Sequence, residues 1–203
     1  GIVPARLSSR RLPGKALADI CGKPLVQLTY GSMSLLDTLD AAYVATDDSE
    51  LADRCRDMGI PVMITGPCED PVERLYQASV SLGLAEDDIV LFVGCDEPLV
   101  DTTTMASLLE AVDGGAQVSN AVRPFKGPVN SDDPDRIRVV LGSDDSCILY
   151  SRHISFDAPC DGIVEFIGAT AFTKRALDAF HSSGISALET FERCEMNRFP
   201  QNG

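Results

Sequence analysis

Positive charge is scarce in this chain. Only 17 Lys and Arg residues stand against 31 Asp and Glu among 203 residues, which gives a formal net charge of −14. Proteins that bind nucleic acids or anionic membranes need broad basic surfaces, so the charge balance argues against both kinds of partner. A small phosphate-bearing ligand remains compatible with it, because one local group of cations can set the potential of a cleft.

Histidines, long apolar runs and nucleotide-binding glycine motifs are also scarce or missing. The two histidines, His153 and His181, give little support to a Ser-His-Asp site or to zinc ligation. No apolar run approaches the roughly 18 residues of a membrane-spanning helix. The 16 glycines form neither a G-x-G-x-x-G nor a Walker motif, which disfavours a nicotinamide-dependent oxidoreductase and a P-loop NTPase.

The seven cysteines show no C-x-x-C spacing. They are Cys21, Cys55, Cys68, Cys95, Cys147, Cys160 and Cys194. An odd number scattered in this way predicts free, reduced thiols in a cytoplasmic protein, with a structural disulfide set as the alternative.

The few cations that exist are concentrated near the start of the chain. Ten residues that directly follow a short apolar strand contain four cations, Arg6, Arg10, Arg11 and Lys15. Serines and Gly14 are interspersed among them. Binding a polyphosphate requires fixed cations and backbone N–H groups, and this loop supplies both. The alternative is a solvated basic turn.

The first 112 residues alternate strands and helices. Hydrophobic periodicity predicts strands over 41–46, 60–65 and 89–93, and helices over 24–34, 50–58, 72–82 and 102–112. This order indicates βαβ units and an open parallel sheet, which binds ligands at the carboxyl ends of its strands. The run 89–93 is continuously apolar, as expected of a strand buried on both faces.

The second half of the chain has a different pattern of predicted elements. Short β-rich runs cover 117–122, 136–141, 147–150 and 164–172, and helices are predicted over 174–181 and 186–195. We expect a single domain over 1–203, with 119–161 as a strand-rich subregion near the ligand edge of the sheet.

Several charged residues are candidates for the site. Asp96 follows the buried strand 89–93 and is suited to hold Mg²⁺ beside a polyphosphate, with a helix cap or a turn as the alternative. Arg74 can reach the same cleft or be an exposed helix arginine. Arg152 follows a short strand and can pair with a carboxylate or a phosphate. Glu189 and Glu192 share a helix face and can hold sugar hydroxyls, with a solvated acidic face as the alternative.

These motifs resemble those of a known family. The segment 2–15, followed by 22–25, is similar to the opening of the sugar-acid cytidylyltransferases, above all the CMP-KDO synthetases. The resemblance continues in order through 44–48, 73–75, 96–99, 133–134, 138–141, 149–152, 167–168 and 188–189, which covers nearly the whole chain.

The resemblance implies a fold and an activity. The fold is α/β, with a Rossmann-like, mostly parallel sheet, helices on both faces and a smaller strand-rich dimerisation region. The reaction is attack of the anomeric hydroxyl of a 2-keto-3-deoxy sugar acid on the α-phosphate of CTP, with release of pyrophosphate. It implies Mg²⁺ as cofactor, a cytoplasmic homodimer, and a place in lipopolysaccharide biosynthesis.

The resemblance also assigns residues to roles. Arg6, Arg11, Lys15 and Asp96 are implied to be catalytic, with Asp96 binding Mg²⁺. The nucleotide is implied to lie against Ala5, Arg6, Ser9, Arg11, Lys15 and Arg74. The sugar acid is implied to lie against Arg152, Glu189 and Glu192.

Three departures from the family pattern concern the sugar side. The CMP-KDO synthetases usually read Gln-Gly-Asp-Glu-Pro where this chain has 94–98, so that Gly94 and Cys95 replace Gln and Gly. Phe166 stands where they carry a His, and Ala169 and Phe172 stand where they carry Tyr residues. Because hydrogen-bonding groups are lost, the site is expected to discriminate differently among acceptors, and the acid is KDO or a related one. A sialic-acid-type or spore-coat-polysaccharide-type enzyme, and a homologue with impaired catalysis, are the alternatives.

Overall fold

The computed structural model describes residues 1–8, 12–68, 70–129, 133, 135–158 and 161–202. The chain divides into two compact units, Gly1–Asn120 with Gly168–Asp178, and Ala121–Ile167 with Ala179–Gly203. The expected single domain over 1–203 stays a prediction. Three elements have residues in both units: β7 (Val118–Pro124), β10 (Ile163–Thr173) and α5 (Lys174–Ser182).

The first unit alternates strands and helices as the sequence predicts. Its strands are β1 (Ile2–Pro4), β2 (Asp19–Ile20), β3 (Lys23–Pro24), β4 (Tyr43–Thr46), β5 (Val62–Ile64) and β6 (Ile89–Val93). Its helices are α1 (Leu25–Met33), α2 (Ser49–Asp57), α3 (Pro71–Ser81) and α4 (Thr102–Asp113), and a 3₁₀ turn covers Lys15–Leu17.

The central sheet of the first unit is mostly parallel, which confirms the predicted fold class. Strands β5, β4, β1 and β6 lie side by side in that order and all run parallel. Strand β10 then pairs antiparallel with β6, with Ala169 opposite Val93. Helices α2, α3 and α4 pack against this sheet, and β2 and β3 form a separate small antiparallel pair.

Aspartates begin three of the helices. Asp48 Oδ1 accepts a hydrogen bond from Leu51 N at 3.1 Å, and Asp70 and Asp101 cap α3 and α4 in the same way. A capping carboxylate satisfies backbone N–H groups that have no partner within the helix. These caps fix each helix start directly after a strand or loop at the ligand edge of the sheet.

The core of the first unit lies along the strands. Val3, Val44 and Leu91 have no exposed surface, and the apolar run of β6 is buried from Val90 to Val93, as its composition predicts. Burial of a single such side chain stabilises the fold by about 1.5–3 kcal/mol. The strands are therefore rigid supports for the loops that follow them.

The second unit is built on antiparallel strands. Strand β8 (Arg138–Leu141) pairs with β9 (Cys147–Ser151) on one side and with residues 163–165 of β10 on the other. Helix α6 (Ala187–Glu192), a 3₁₀ turn (Glu195–Asn197) and α7 (Arg198–Asn202) complete it. The predicted helix over 186–195 is wrong at its end, because Arg193 adopts a left-handed conformation with φ 49° and stops α6.

Among the residues that the structure describes, no helix combines the length and apolar character needed to cross a bilayer. Free thiols are carried by Cys21, Cys55, Cys68, Cys95 and Cys194, as the spacing predicts. Cys160 lies outside the described residues.

Candidate functional site

The cationic loop follows β1 and folds back on itself. Ala5 N donates to Ala45 O at 3.0 Å and continues the parallel pairing beyond the end of β1. The backbone N–H of Gly14 donates to Leu7 O at 2.9 Å and closes the loop, and Gly14 takes a φ of +73° that favours glycine. The loop thus returns Lys15 to the carboxyl end of β1.

Two of the predicted site residues meet at this edge. Lys15 Nζ lies 2.7 Å from Asp96 Oδ2, and Asp96 belongs to the loop after β6, the parallel neighbour of β1. Both side chains keep contact with solvent, with 27% and 53% of their surfaces exposed. The sequence-based expectation that the cationic loop faces Asp96 therefore holds for Lys15.

The rest of the loop is described in part. Arg6 is half-buried two residues beyond β1, and no carboxylate of the described residues pairs with its side chain. The predicted ligands Ser9 and Arg11 lie outside the described residues. A half-buried guanidinium with no protein counter-ion in the described part of the chain is suited to meet a phosphate.

The loop after β6 is held tightly by its backbone. Gly94 N donates to Gly168 O at 2.6 Å, and Glu97 N donates to Gly94 O at 2.9 Å. A Cβ atom on Gly94 would lie 3.2 Å from Gly168 O and 3.3 Å from Asp96 Oδ1. The glycine at this departure from the family pattern therefore lets the loop approach β10 and leaves room for the Asp96 carboxylate.

Arg74 is buried, so the alternative of an exposed helix arginine is wrong. Only 3% of its surface is accessible, and its guanidinium donates to Thr65 Oγ1, to Cys68 O at 2.9 Å and to Asp47 at 2.9 Å. Asp47 follows β4 and Thr65 follows β5. Arg74 thereby joins the two loops at the carboxyl ends of these strands.

In the second unit, the predicted sugar-side residues form two groups. Glu192 accepts hydrogen bonds from Ser151 Oγ at 2.9 Å and from the backbone N–H of Arg152 at 2.7 Å. Glu189 pairs with Arg198 through both carboxylate oxygens and also takes part in the capping box of α6 with Ser186. Both carboxylates are buried, so the alternative of a solvated acidic face is wrong.

Sequence reasoning missed two residues that organise these groups. Arg138 has no exposed surface, and its guanidinium donates to Asp133 O at 2.8 Å and Arg152 O at 3.1 Å. Its position inside the apolar run 137–140 was a signal for a buried charge. Asp47, the partner of Arg74, carried no such signal because polar residues also cap helices.

Phe166 occupies the position at which the family usually has a His. Its ring packs edge-on against Tyr150, with ring centroids 5.8 Å apart. An aromatic contact therefore replaces a hydrogen-bonding group there. Cys95, which also departs from the family pattern, is buried, and burial raises the pKa of its thiol to about 12.

The donor set fits a magnesium ion that is shared with a nucleotide. Within the described ranges, no three His, Cys, Asp or Glu side chains gather into a site that could hold a metal alone. Mg²⁺ is typically bound by one or two carboxylates together with phosphate oxygens and waters. The exposed carboxylate of Asp96 is suited to that partial coordination.

The comparisons with known proteins agree with this geometry. The sequence model of the family described as Cytidylyltransferase matches residues 1–197. The chain is 33% identical over 209 residues to the 8-amino-3,8-dideoxy-manno-octulosonate cytidylyltransferase of Shewanella frigidimarina, covering 100% of this chain and 85% of that protein. It is also 33% identical over 219 residues to the 3-deoxy-manno-octulosonate cytidylyltransferase of Saccharophagus degradans, covering 100% and 86%.

Two solved structures share the fold of this chain. The CMP:2-keto-3-deoxy-manno-octonic acid synthetase complexed with CTP aligns with a TM-score of 0.82 at 25% identity, covering 97% of this chain and 83% of that one. The 4-diphosphocytidyl-2C-methyl-D-erythritol synthase, at 15% identity and a TM-score of 0.65, shares the fold over 98% of this chain and 83% of that one.

Together with the fold, these comparisons show that the protein is a nucleotidyltransferase. The chain belongs to the cytidylyltransferase family. The resemblance to sugar-acid cytidylyltransferases that the sequence motifs indicate is confirmed.

Proposed function

We propose that this protein transfers CMP from CTP to the anomeric hydroxyl of a 2-keto-3-deoxy sugar acid of the KDO type. The hydroxyl loses its proton to solvent or to the leaving pyrophosphate, and its oxygen forms a bond to the α-phosphorus. The bond between the α-phosphorus and the α–β bridging oxygen breaks, and pyrophosphate leaves with that oxygen. Family membership supports the reaction, and the names of the two curated relatives support the acceptor class.

One observation carries the proposal for the nucleotide side. Lys15 Nζ and Asp96 Oδ2 lie 2.7 Å apart at the carboxyl ends of two neighbouring parallel strands. Ligands of open α/β sheets bind at this edge. In the proposal Ala5, Arg6, Ser9, Arg11 and Lys15 hold the triphosphate, and the cations offset charge that develops on its oxygens during transfer.

We propose Mg²⁺ as the cofactor, with Asp96 as its protein ligand. When bound, Mg²⁺ would offset charge on the phosphate oxygens and help to orient them. Asp96 pairs with Lys15 at 2.7 Å. In the proposal the carboxylate would bind the metal and the ammonium would bind the triphosphate.

The roles proposed for Arg74 and Arg152 rest on the contacts that each makes in its own unit. Arg74 supports the nucleotide by fixing the loops after β4 and β5, to which it is bonded through Asp47 and Thr65. Arg152 is proposed as the cation for the carboxylate of the sugar acid, since guanidinium pairs well with planar carboxylates. A direct contact of Glu189 with the sugar acid stays a prediction, and for Glu192 we propose an indirect role instead, because both of its carboxylate oxygens accept hydrogen bonds from within the protein.

Pyrophosphate release tests the proposal. The full chain is incubated with CTP, Mg²⁺ and, in separate reactions, KDO, 8-amino-3,8-dideoxy-manno-octulosonate and a sialic acid. We expect turnover with one of the two octulosonates. If no acid is turned over while calorimetry still shows CTP binding, the proposal is wrong and the protein is a nucleotide-binding homologue with impaired catalysis.

We also propose a cytoplasmic homodimer. Ile148, Ile185 and Phe191 of the second unit are large apolar side chains with 56%, 73% and 67% of their surfaces exposed, and a dimer that covered them would remove this apolar surface from water. The free thiols support a reducing compartment. Light scattering coupled to size exclusion tests the dimer, and a monomeric mass at micromolar concentration would contradict it.

A further inference from the structure

We infer that Glu192 is a positioning residue that acts on the sugar acid only through Arg152. The inference rests on the proposed function, because that function gives Arg152 its ligand. The observation behind it is that two buried, oppositely charged side chains hold the backbone of this one residue from both sides. All the groups concerned belong to the second unit.

Glu192 directs its whole carboxylate at the chain segment that carries Arg152. Oε2 accepts from the backbone N–H of Arg152 at 2.7 Å, and Oε1 accepts from Ser151 Oγ at 2.9 Å. The residue is 5% exposed. Hydrogen bonds to an ionised group are stronger than neutral ones, so this carboxylate fixes the segment firmly.

Ser151 also holds the turn that follows it. Its hydroxyl oxygen accepts hydrogen bonds from the backbone N–H groups of His153 at 3.0 Å and Ile154 at 3.3 Å. Ser151 itself is 1% exposed. Glu192 and Ser151 together therefore set the direction in which the chain leaves β9, and Arg152 lies inside that turn.

The opposite side of Arg152 is held as well. The fully buried guanidinium of Arg138 donates to Arg152 O at 3.1 Å. The side chain of Arg152 in turn donates from Nε to Arg193 O at 3.3 Å. Arg193 directly follows Glu192 and has a φ of +49°, so the end of α6 holds both the backbone and the guanidinium of Arg152.

This arrangement favours an indirect role for Glu192 over contact with the substrate. Both of its oxygens already accept hydrogen bonds from within the protein. A sugar acid is an anion, and a second carboxylate facing it would repel it. A guanidinium recognises a carboxylate through two aligned N–H groups, so a small displacement of Arg152 weakens the pairing.

A double-mutant cycle of Glu192→Gln and Arg152→Ala tests the inference in the full chain. Loss of one charge-assisted bond is expected to raise the KM for the sugar acid about tenfold in Glu192→Gln. The KM for CTP should change less than about twofold. In the Arg152→Ala background, adding Glu192→Gln should lower kcat/KM for the acid by less than about twofold, because the Arg152 side chain through which Glu192 acts is already absent.

Two results of the cycle would overturn the inference. A full tenfold loss in the Arg152→Ala background would show direct contact between Glu192 and the substrate. A single Glu192→Gln variant with the KM of the wild type would show that the contacts with Ser151 and Arg152 do not matter. Glu165→Gln is the control for general loss of stability, since Glu165 is a buried carboxylate of the same unit that pairs with Arg123 and Arg136.

Amide hydrogen exchange supplies a readout that needs no activity. Glu192→Gln should speed exchange of the Arg152 amide at least about tenfold, whereas Glu165→Gln should leave it near the wild-type rate. Ser151→Ala is the second variant if Glu192→Gln does not fold, and it should speed exchange at residues 153 and 154. Unchanged exchange in these variants would refute the positioning role. A wild type without turnover would instead refute the proposed function, and exchange would still decide the role of Glu192.

Discussion

Lys15 Nζ lies 2.7 Å from Asp96 Oδ2, although 81 residues separate the two along the chain. Parallel pairing of β1 with β6 brings their loops to one edge of the sheet. The contact joins the densest group of cations in an acidic chain to an exposed carboxylate, and the proposed nucleotide site is built around it.

Removing the charge of Asp96 should abolish most of the activity. We expect Asp96→Asn to lower kcat about 100-fold or more, because the proposed Mg²⁺ would lose its protein ligand and with it the cation that offsets charge on the phosphate oxygens. Lys15→Ala should raise the KM for CTP. The rates are measured as pyrophosphate release over a range of Mg²⁺ concentrations.

The matched control for Asp96 is Asp101→Asn. Asp101 belongs to the same loop region and caps α4 by accepting from Thr104 N, a bond that asparagine also makes. Its activity should stay near that of the wild type. Equal losses in both variants would indicate that the loop, rather than the Asp96 carboxylate, is required.

Arg74 should matter for the stability of the first unit. Arg74→Lys keeps a positive charge but cannot serve Thr65, Cys68 and Asp47 together. We expect a loss of roughly 2 kcal/mol in the free energy of unfolding, since breaking buried charged contacts is costly. Urea denaturation measures it. Arg56→Lys, in an exposed pair with Asp53, should change little, and a similar loss there would contradict the account.

The ion pairs of Glu165 determine part of how the free energy of unfolding depends on pH. Hydrogen bonds from Arg136 and Arg123 lower the pKa of Glu165 from about 4.5 to about 2, against the opposing effect of burial. A carboxylate with a depressed folded pKa stabilises the fold above its unfolded pKa and loses that contribution as the pH falls through the folded value. The wild type should therefore lose stability between about pH 4.5 and 2.

Glu165→Gln should remove this part of the pH dependence. The variant should be less stable than the wild type at pH 7, and its free energy of unfolding should fall less steeply between pH 4.5 and 2. Denaturant titrations at several pH values give both quantities. Parallel curves for the two proteins over that window would contradict the assignment.

The thiols should differ sharply in reactivity. Burial raises the pKa of Cys95 to about 12, so roughly one molecule in 10⁴ carries its thiolate at pH 8. Cys21 is exposed. Iodoacetamide on the folded protein at pH 8 should label Cys21 within minutes and leave Cys95 unlabelled until denaturant is added. Early labelling of Cys95, seen by peptide mass spectrometry, would show that the loop after β6 opens.

Much of the fold could be predicted because its patterns are local. The apolar run of β6 and the aspartate caps of α2, α3 and α4 each depend on a few neighbouring residues. The direction of β10 could not be predicted, since antiparallel pairing with β6 depends on residues about 80 positions apart. The end of α6 could not be predicted either, because an arginine gives no sign in the sequence that it will adopt a left-handed conformation.

The candidate site was predictable where charge was unusual for its surroundings. Four cations close together in an acidic chain indicate the loop that carries Lys15. The burial of Arg74 and Glu192 was not predictable, because the sequence does not distinguish a solvated charged residue from one buried against a backbone. The apolar run 137–140 signals burial of Arg138 but not the carbonyl groups to which it donates. Only the folded structure shows that these three hold loops and turns.

The fate of labelled phosphate tests the central claim most directly. The full chain is incubated with CTP labelled at the α-phosphate, Mg²⁺ and KDO or its 8-amino analogue. The account predicts that label passes into a sugar nucleotide in equal amount to the unlabelled pyrophosphate released, and that Asp96→Asn loses this transfer. Label that remains in CTP, or transfer that persists in Asp96→Asn at the wild-type rate, would contradict it.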